Sequence, residues 1–271
     1  MFDRADVIYR YDGSLEGLLC CVFESFNQKE TPLDIVAEGQ EQWSLYRMRD
    51  IVTDPAKAQR VLTGVEHKIS PLAQDMVIKG YLSCLPEKEM HLLRFLQLGF
   101  QKGRRVTDML ADPTVMTITK AIKSQWYEAH HFMGFLRFSD HEGALIATIA
   151  PKNYVLPLMA NHFIDRYRNE NFLIYDETHK SALIYQNKEA EIIPLEDFVP
   201  PAPDDKELYA RALWQTFTDA IAIKSRENPR CRMTHCPKRF WKNMWEMPEN
   251  EPKTLAQGAK AQEMLLPTQE L

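Results

Sequence analysis

Several features that would define a functional class are missing from this sequence. It contains no glycine-rich phosphate loop, no Gly-x-Ser-x-Gly motif and no cysteine cluster of the iron–sulfur type. Motifs therefore do not indicate P-loop nucleotide hydrolysis, a serine-hydrolase elbow or a resident iron–sulfur cluster. The longest apolar runs, such as residues 17–23, are too short to span a bilayer, so we expect no membrane contact.

Disulfide and secretion signals are also scarce. The five cysteines are an odd number, which fits reduced thiols better than a disulfide framework. The first residues, MFDRADVIYRYD, are acidic and alternating, and lack the basic segment and apolar core of a secretory signal. We therefore expect a cytoplasmic protein.

The charge is acidic overall but locally basic. The 271 residues carry a net charge of −5, and 45% are hydrophobic, as in ordinary globular proteins. Between residues 224 and 242 only one acid, Glu227, interrupts a series of cations: Lys224, Arg226, Arg230, Arg232, Lys238, Arg239 and Lys242. This local asymmetry permits binding to nucleic acid in spite of the net charge.

The first half of the chain is predicted to be largely helical, with one N-terminal strand. The alternation in Asp6–Tyr11 predicts the strand, and Glu16–Phe26 follows as a helix. Helix starts are indicated by a capping residue before proline, or by proline alone. These starts are Asp54-Pro55, Ser70-Pro71, Pro86 and Asp112-Pro113.

The second half is predicted to hold an antiparallel sheet with packed helices, which gives an α+β protein. The strands are expected at Met133–Phe138, Ala144–Ala150, Phe172–Asp176, Ser181–Gln186 and Glu191–Pro194, with a helix over Tyr154–Arg168. The expected division is a mainly helical region 1–126, a sheet-containing region 127–247 with C-terminal helices, and a disordered tail 248–271. The first two regions could also form one continuous domain.

Histidines and carboxylates in the second half are candidates for catalysis. We consider His162, Asp165 and Asp176 as acid–base residues. Glu128, His130 and His162 could also be metal ligands, but their spacing matches no known metal motif. The ordinary alternatives are a structural histidine, a surface salt link from Asp165 and a turn aspartate at 176. Cys231 and Cys236 lack a second half-site, so no metal site is predicted.

The basic stretch 224–242 is the candidate for nucleic-acid binding. Its cations would neutralise phosphates, while aromatic rings at Phe240, Trp241 and Trp245 suit unpaired bases. The alternative is that these rings anchor a C-terminal helix and the cations are solvated. The residues expected to contact nucleic acid are His130, Arg137, Arg166, Lys224, Arg226, Lys238, Arg239, Trp241 and Lys242.

Five segments together resemble the bacterial "probable DNA metabolism" or putative DNA repair family. They are YDGSLEGLLCCVFESF, EAHHFMGFLRF, APKNYVLPLMANHFIDRY, NENFLIYDETHKSALIY and LWQTFTDAIAIKSRENPRCRMTHCPKRFWK. Members of that family are typically encoded beside a radical SAM protein, and a similar domain is found fused to uracil-DNA glycosylase. The resemblance implies a radical SAM partner that carries the iron–sulfur cluster and S-adenosylmethionine, with no cofactor in this chain.

The resemblance favours a DNA-binding accessory protein that acts in repair or modification with this partner. Single-stranded or damaged DNA suits the basic and aromatic mixture better than intact duplex. In this hypothesis His130, Arg137, His162 and Arg166 line a pocket for a base or for the backbone. Two alternatives stay open, a hydrolase or glycosylase acting on damaged DNA and a structural subunit of the radical SAM partner that does not touch DNA.

Overall fold

The structure, a computed structural model, describes residues 3–39 and 45–247. The chain divides into two compact units, Met1–Trp126 and Tyr127–Leu271, and its α+β class is as predicted. Within the described ranges, no helix has the length and apolar character needed to cross a membrane. The predicted disordered tail, 248–271, lies outside the described residues.

The N-terminal unit contains two small parallel sheets. In the first, β2 (Val7–Tyr11) lies between β4 (Asp34–Ala37) and β5 (Arg47–Asp50), and both pairings are parallel. In the second, β1 (Asp3–Arg4) pairs with β3 (Glu30–Thr31). The sequence predicts only β2, because the other strands are short and mostly polar and so lack its apolar alternation.

Helices of the N-terminal unit begin at, or within two residues of, the positions that the capping and proline signals predict. They are α1 (Leu15–Gln28), α2 (Pro55–Lys68), α3 (Pro71–Tyr81) and α4 (Lys88–Lys102), and a 3-10 helix over Gly103–Asp108 follows. Ser14, Asp54 and Ser70 each accept a hydrogen bond from a backbone N–H of the following first turn. These caps satisfy donors that the helix itself leaves unpaired.

Tyrosines and thiols are enclosed in the core of the N-terminal unit. Cys20 and Cys21 are 2% and 0% exposed, as expected for small apolar core residues. Tyr9 donates its hydroxyl to Glu30 (2.6 Å), and Tyr11 donates to Glu89 (3.0 Å). Burial, together with the neighbouring carboxylates, raises the pKa of both tyrosines, so their phenols are neutral at physiological pH.

Helix α5 (Pro113–Phe135) overturns one predicted strand. Residues 133–135 continue the helix, so the strand expected over Met133–Phe138 is wrong. The buried side chains Ala129, Phe132 and Leu136 recur at intervals of three and four residues, which is the spacing of a helix face. The alternation in FMGFLRF resembles a strand by coincidence, and the first strand here is the shorter β6 (Ser139–His141).

Five strands form the sheet of the C-terminal unit in the order β10-β9-β8-β7-β6. Beyond β6 they are β7 (Ala144–Ile149), β8 (Asn171–Asp176), β9 (Ser181–Gln186) and β10 (Glu189–Pro194). Three of the four pairings are antiparallel, as predicted. The pairing of β7 with β8 is parallel, because helix α6 (Leu156–Arg166) returns the chain to the start of the neighbouring strand.

The C-terminal unit continues through α7 (Asp205–Ile221), a 3-10 turn at Lys224–Arg226, α8 (Pro229–His235) and a 3-10 helix over Lys238–Asn243. Asp204 caps α7 by accepting from the backbone N–H of Glu207 (2.8 Å). The 3-10 helix Lys238–Asn243 inserts Phe240, fully buried, against the rings of His131 and Phe132. This ring packing fixes the 3-10 helix to the end of α5.

Candidate functional site

Polar residues gather at the carboxyl end of the parallel pair β7–β8. Ile149 and Asp176 stand opposite each other at this end, and the Glu177 N–H donates to the Ile149 carbonyl (2.9 Å). The loop after β7 and the turn after β8 therefore meet at one edge of the sheet. In α/β proteins, ligands commonly bind outside the carboxyl ends of parallel strands.

Glu128 on α5 holds the loop after β7 in place. Its side chain is 1% exposed and accepts from the backbone N–H groups of Lys152 (3.0 Å) and Asn153 (2.8 Å). Asn153 Nδ2 (2.6 Å) and an Arg239 guanidinium nitrogen (2.7 Å) donate to the same carboxylate. These donors compensate for the burial of the charge, so Glu128 fixes the loop and the 3-10 helix Lys238–Asn243 to α5.

The turn after β8 carries an aspartate–histidine pair. Asp176, fully buried, accepts from the backbone N–H groups of Thr178 and His179, and His179 Nδ1 lies 2.7 Å from its second oxygen. The His179 side chain is 27% exposed, and the ring of Tyr154 contacts it edge-on. Because Nδ1 is held by the carboxylate, Nε2 is the nitrogen left for proton transfer or for a ligand.

Cations near this edge are balanced by acids. Lys242 Nζ lies 2.9 Å from Glu177, and both side chains are about half exposed. With Arg239 bound to Glu128, the edge combines charged groups of both signs. Among the described residues, no group of three or more His, Cys, Asp or Glu side chains could hold a metal ion. The groups described at this edge can donate and accept hydrogen bonds, and the His179 imidazole can transfer a proton.

An open cleft of about 260 Å³ lies between β6, β7, the start of α7 and the segment 242–245. Three cations line it, Arg137, Arg211 and Lys242, and no described carboxylate does. Arg137 is bound to Glu246 (2.6 Å), and Arg211 to Glu207 (2.7 Å) and to Ser139 Oγ (2.6 Å). Glu207 and Glu246 do not line the cleft themselves, so each arginine lines the cleft while it is paired with an acid outside the lining.

Helix α7 leaves a row of large side chains in solvent. Its buried residue is Glu207, whereas Leu213, Phe217 and Ile221 are 46%, 51% and 59% exposed. Trp214 is 37% exposed, and its ring lies 5.8 Å from that of Phe217 and beneath the Arg137 guanidinium. Exposed aromatic faces of this kind can stack on unpaired bases or pack against a protein partner.

The segment that follows α7 presents its cations to solvent. Glu227 is the one acid between residues 224 and 242, and it forms no ion pair with them in the described structure. Arg239 and Lys242 have carboxylate partners. Five other cations are exposed and have none among the described residues: Lys224, Arg226, Arg230, Arg232 and Lys238. This set is available to contact phosphates.

The three catalytic candidates from the sequence do not meet. His162 and Asp165 lie on the exposed side of α6, where Asp165 forms a surface ion pair with Arg168 (3.4 Å). The ring contact of His162 is with the adjacent Phe163. No hydrogen bond joins either residue to Asp176 in the described part of the chain. Asp176 is bonded instead to His179, which the sequence analysis did not select.

The expected nucleic-acid residues separate into buried and exposed groups. Trp241 is 7% exposed and donates its indole N–H to the Cys236 carbonyl, so its ring acts as an anchor. Arg137 is held by Glu246, whereas Arg166 is exposed over the Tyr167 ring. His130 is exposed on α5. The structure does not bring His130, Arg137, His162 and Arg166 together around one described pocket.

The Cys231 and Cys236 thiols do not converge. Cys231 is exposed on α8, whereas Cys236 is 7% exposed and its sulfur lies 3.5 Å from the Met244 sulfur. Burial raises the pKa of the Cys236 thiol, which keeps it protonated. Cys236 thus behaves as a core residue of the segment 236–247.

The residues that the sequence analysis missed carry weak local signals. His179 lies in a polar turn, three residues after Asp176, which is the spacing of an aspartate that caps its own turn. Trp214 and Phe217 lie on a helix with an apolar stripe, where burial is the usual outcome. Arg211 joins the cleft through Ser139, 72 residues away. Only tertiary structure reveals such contacts.

Comparison with known proteins identifies a family without a described activity. No curated protein matches the sequence. Residues 86–246, which are more than half of the 271 residues, match the family described as a domain of unknown function, DUF4130. This match includes the parallel pair β7–β8, the cleft, α7 and the basic segment. The chain therefore belongs to the DUF4130 family.

Proposed function

We propose that this protein binds single-stranded or locally unpaired DNA through α7 and the basic segment, which we define as residues 224–242. The observation that carries the proposal is the combination of exposed rings on α7 with five exposed cations directly after it that have no carboxylate partner among the described residues. Aromatic faces stack on bases of any sequence, and cations follow the phosphate backbone. Together they suit a strand whose bases are accessible.

The acidic net charge does not oppose this proposal. At physiological salt the Debye length is about 8 Å, so acids elsewhere on the surface are screened from a bound phosphate. The local balance of seven cations to one acid in the basic segment therefore governs the contact. Each neutralised phosphate also releases counterions, which makes such binding weaken steeply as salt is added.

The biological setting of the proposal comes from the family resemblance. An accessory protein of this kind would present a DNA strand to a radical SAM partner in a cytoplasmic repair or modification reaction. The partner would supply the iron–sulfur cluster and S-adenosylmethionine, and this chain would supply the strand-binding surface. The exposed apolar side chains of α7 also favour a second candidate, a docking face for that protein partner.

An enzymatic role has one supporting observation. His179, oriented by the buried Asp176, has the arrangement of a general base held by a carboxylate. If the chain is a hydrolase or glycosylase for damaged DNA, His179 with Asp176 is a better acid–base pair than His162 with Asp165. Loss of turnover in His179→Asn, with retained DNA binding, would identify this alternative.

The main experiment measures binding of the purified protein to labelled single-stranded and duplex DNA over a series of salt concentrations. We expect salt-dependent binding that favours the single strand. In a triple variant, Lys224, Arg226 and Arg230 are changed to Ala. The negative slope of log K against log salt should become shallower by about 2. A matched control changes Lys102, Arg104 and Arg105 to Ala and alters the net charge equally.

The control separates a local contact from a general charge effect. Equal slopes in both triple variants would overturn the basic segment as the DNA contact. A Phe217→Ala variant tests the aromatic contribution, which is roughly 1–3 kcal/mol for one stacked base. If the wild-type protein binds neither DNA form at low salt but co-purifies with a radical SAM protein, α7 is instead a protein-docking face.

A further inference from the structure

The cleft adjoins the surface that we propose for DNA binding. Arg211, on α7, lines the cleft and lies over the Trp245 ring, 4.5 Å from its centroid. Gln215 and Trp214, one turn further along α7, donate hydrogen bonds to the Trp245 carbonyl (2.7 Å) and to Glu246 (3.0 Å). A strand that follows α7 therefore passes beside the opening of the cleft.

The size and the walls of the cleft suit one ring system. Its volume of about 260 Å³ is slightly below the range of about 300–1,000 Å³ typical of pockets for drug-sized ligands. Trp245, Ile146 and the prolines Pro200, Pro201 and Pro203 supply apolar surface to the lining. Apolar walls favour an unstacked base, whereas a phosphate is better placed on the exposed cations of the basic segment.

The charged side chains that line the cleft are all cations. Arg137, Arg211 and Lys242 can only donate, and no described carboxylate lines the cleft. The other polar side chains of the lining can donate or accept: Ser139, His141, Thr148 and Asn243. Arg137 Nε and Asn243 Nδ2 are buried donors that have no acceptor among the described residues. Both atoms are closed to solvent, so a ligand in the open cleft would meet the partly exposed side chains of Arg137, Arg211 and Lys242. These cations favour a ligand that brings oxygen acceptors.

We propose that the cleft binds one unstacked nucleobase through its keto edge. Thymine and guanine present carbonyl oxygens (O4 and O6) where cytosine and adenine present amino donors. A lining with three cations that can only donate and no described carboxylate should therefore prefer the keto bases. This inference rests on the proposed DNA binding and adds to it a base preference, located at the cleft.

The experiment compares two single strands that differ only in this edge. One is an oligomer of thymidine and the other an oligomer of 5-methyldeoxycytidine, each about twelve nucleotides long. Both bases carry a methyl group at C5, and the two strands have the same backbone charge. We expect the thymidine strand to bind at least about fivefold more tightly, the lower end of the discrimination of one well-placed base contact.

Two variants assign the preference to the cleft. Asn243→Asp puts a carboxylate, which can only accept, into the lining and should remove or reverse the preference for thymidine. Lys242→Met, at an exposed position, should reduce the ratio without a change in fold. The Lys224, Arg226 and Arg230 triple variant should weaken both strands equally and leave the ratio unchanged, because those residues contact phosphates.

The same measurement distinguishes a failure of DNA binding from a failure of the base preference. If the wild-type protein binds neither strand, the proposed DNA binding fails and the base preference with it. If it binds both strands equally, the DNA binding stands and the keto-edge preference is overturned. A thymidine preference that Asn243→Asp and Lys242→Met both leave intact would also overturn the assignment to the cleft.

Discussion

Helices α4 and α7 are of similar length and have similar apolar stripes, but their surroundings differ. In α4 the side chains of Leu92, Leu93 and Leu96 are at most 1% exposed, whereas Leu213, Phe217 and Ile221 of α7 are about half exposed. The periodicity of the sequence therefore predicts that a helix has an apolar face, but it does not identify what covers that face. On α7 the uncovered face is followed by exposed cations that have no carboxylate partner in the described ranges, which supports a binding surface.

Paired phenylalanine substitutions should produce the largest contrast between the two helices. Phe95 on α4 is fully buried, so Phe95→Ala should lower the free energy of unfolding by about 3–5 kcal/mol. Phe217→Ala on α7 should change it by less than about 0.5 kcal/mol. Chemical denaturation of both variants measures the difference. Equal losses would mean that α7 is covered in solution.

Substitution of Glu128 should produce the next largest effect, since the C-terminal unit depends on a buried carboxylate. Glu128→Ala leaves the donors of Asn153 and the loop without their acceptor, and we expect a loss of about 2–4 kcal/mol. Asp165→Ala is the control, because its ion pair with Arg168 is 76% and 70% exposed and should contribute under about 0.5 kcal/mol. Similar unfolding midpoints for the two variants would contradict the role of Glu128.

Alkaline pH should lower the stability of the N-terminal unit, and the share that comes from Tyr81 should be smaller than the loss from either of the buried substitutions above. Burial, with Glu89 and Asp12 nearby, raises the pKa of Tyr81 to about 12. Below pH 10 the phenol is neutral in both the folded and the unfolded chain. Between pH 10 and 12 only the unfolded chain releases the proton, so Tyr81 by itself should lower stability by roughly 1 kcal/mol per pH unit, and the buried Tyr9 and Tyr11 add to this loss.

The matched variant for this test is Tyr81→Phe. It removes the titrating hydroxyl, so the loss of stability above pH 10 should be shallower than in the wild-type protein. Urea unfolding at a series of pH values from 8 to about 11 measures both slopes. A variant that loses stability at the same rate as the wild-type chain would exclude Tyr81 as a source of the pH dependence.

Local signals predicted much of the fold. Asp54-Pro55 and Ser70-Pro71 determine their helix starts because a cap and a proline act within one turn. The hairpin of β8 and β9 was predicted because four residues between two apolar strands leave few other connections. The strand expected over Met133–Phe138 failed because an alternating sequence can also place its apolar residues on one face of a helix.

The candidate site was harder to predict because its contacts are distant in sequence. Glu128 meets Arg239 across 111 residues, and Arg211 meets Ser139 across 72. The parallel pairing of β7 and β8, which brings Asp176 and His179 beside Asn153 and Tyr154, depends on the path of α6 rather than on the composition of the strands. The basic segment was visible from the sequence, since a charge asymmetry needs no fold to be recognised.

The way in which α7 is attached has a consequence for local opening. Its links to the rest of the C-terminal unit are polar, from Glu207 to the Asp140 N–H and from Arg211, Trp214 and Gln215 to distant partners. A helix with few buried apolar side chains opens at a lower free energy than one such as α6, so its amide protons exchange sooner. A DNA strand bound along α7 would raise the free energy of opening of this helix. The slower hydrogen exchange of α7 would then report binding without any label on the DNA.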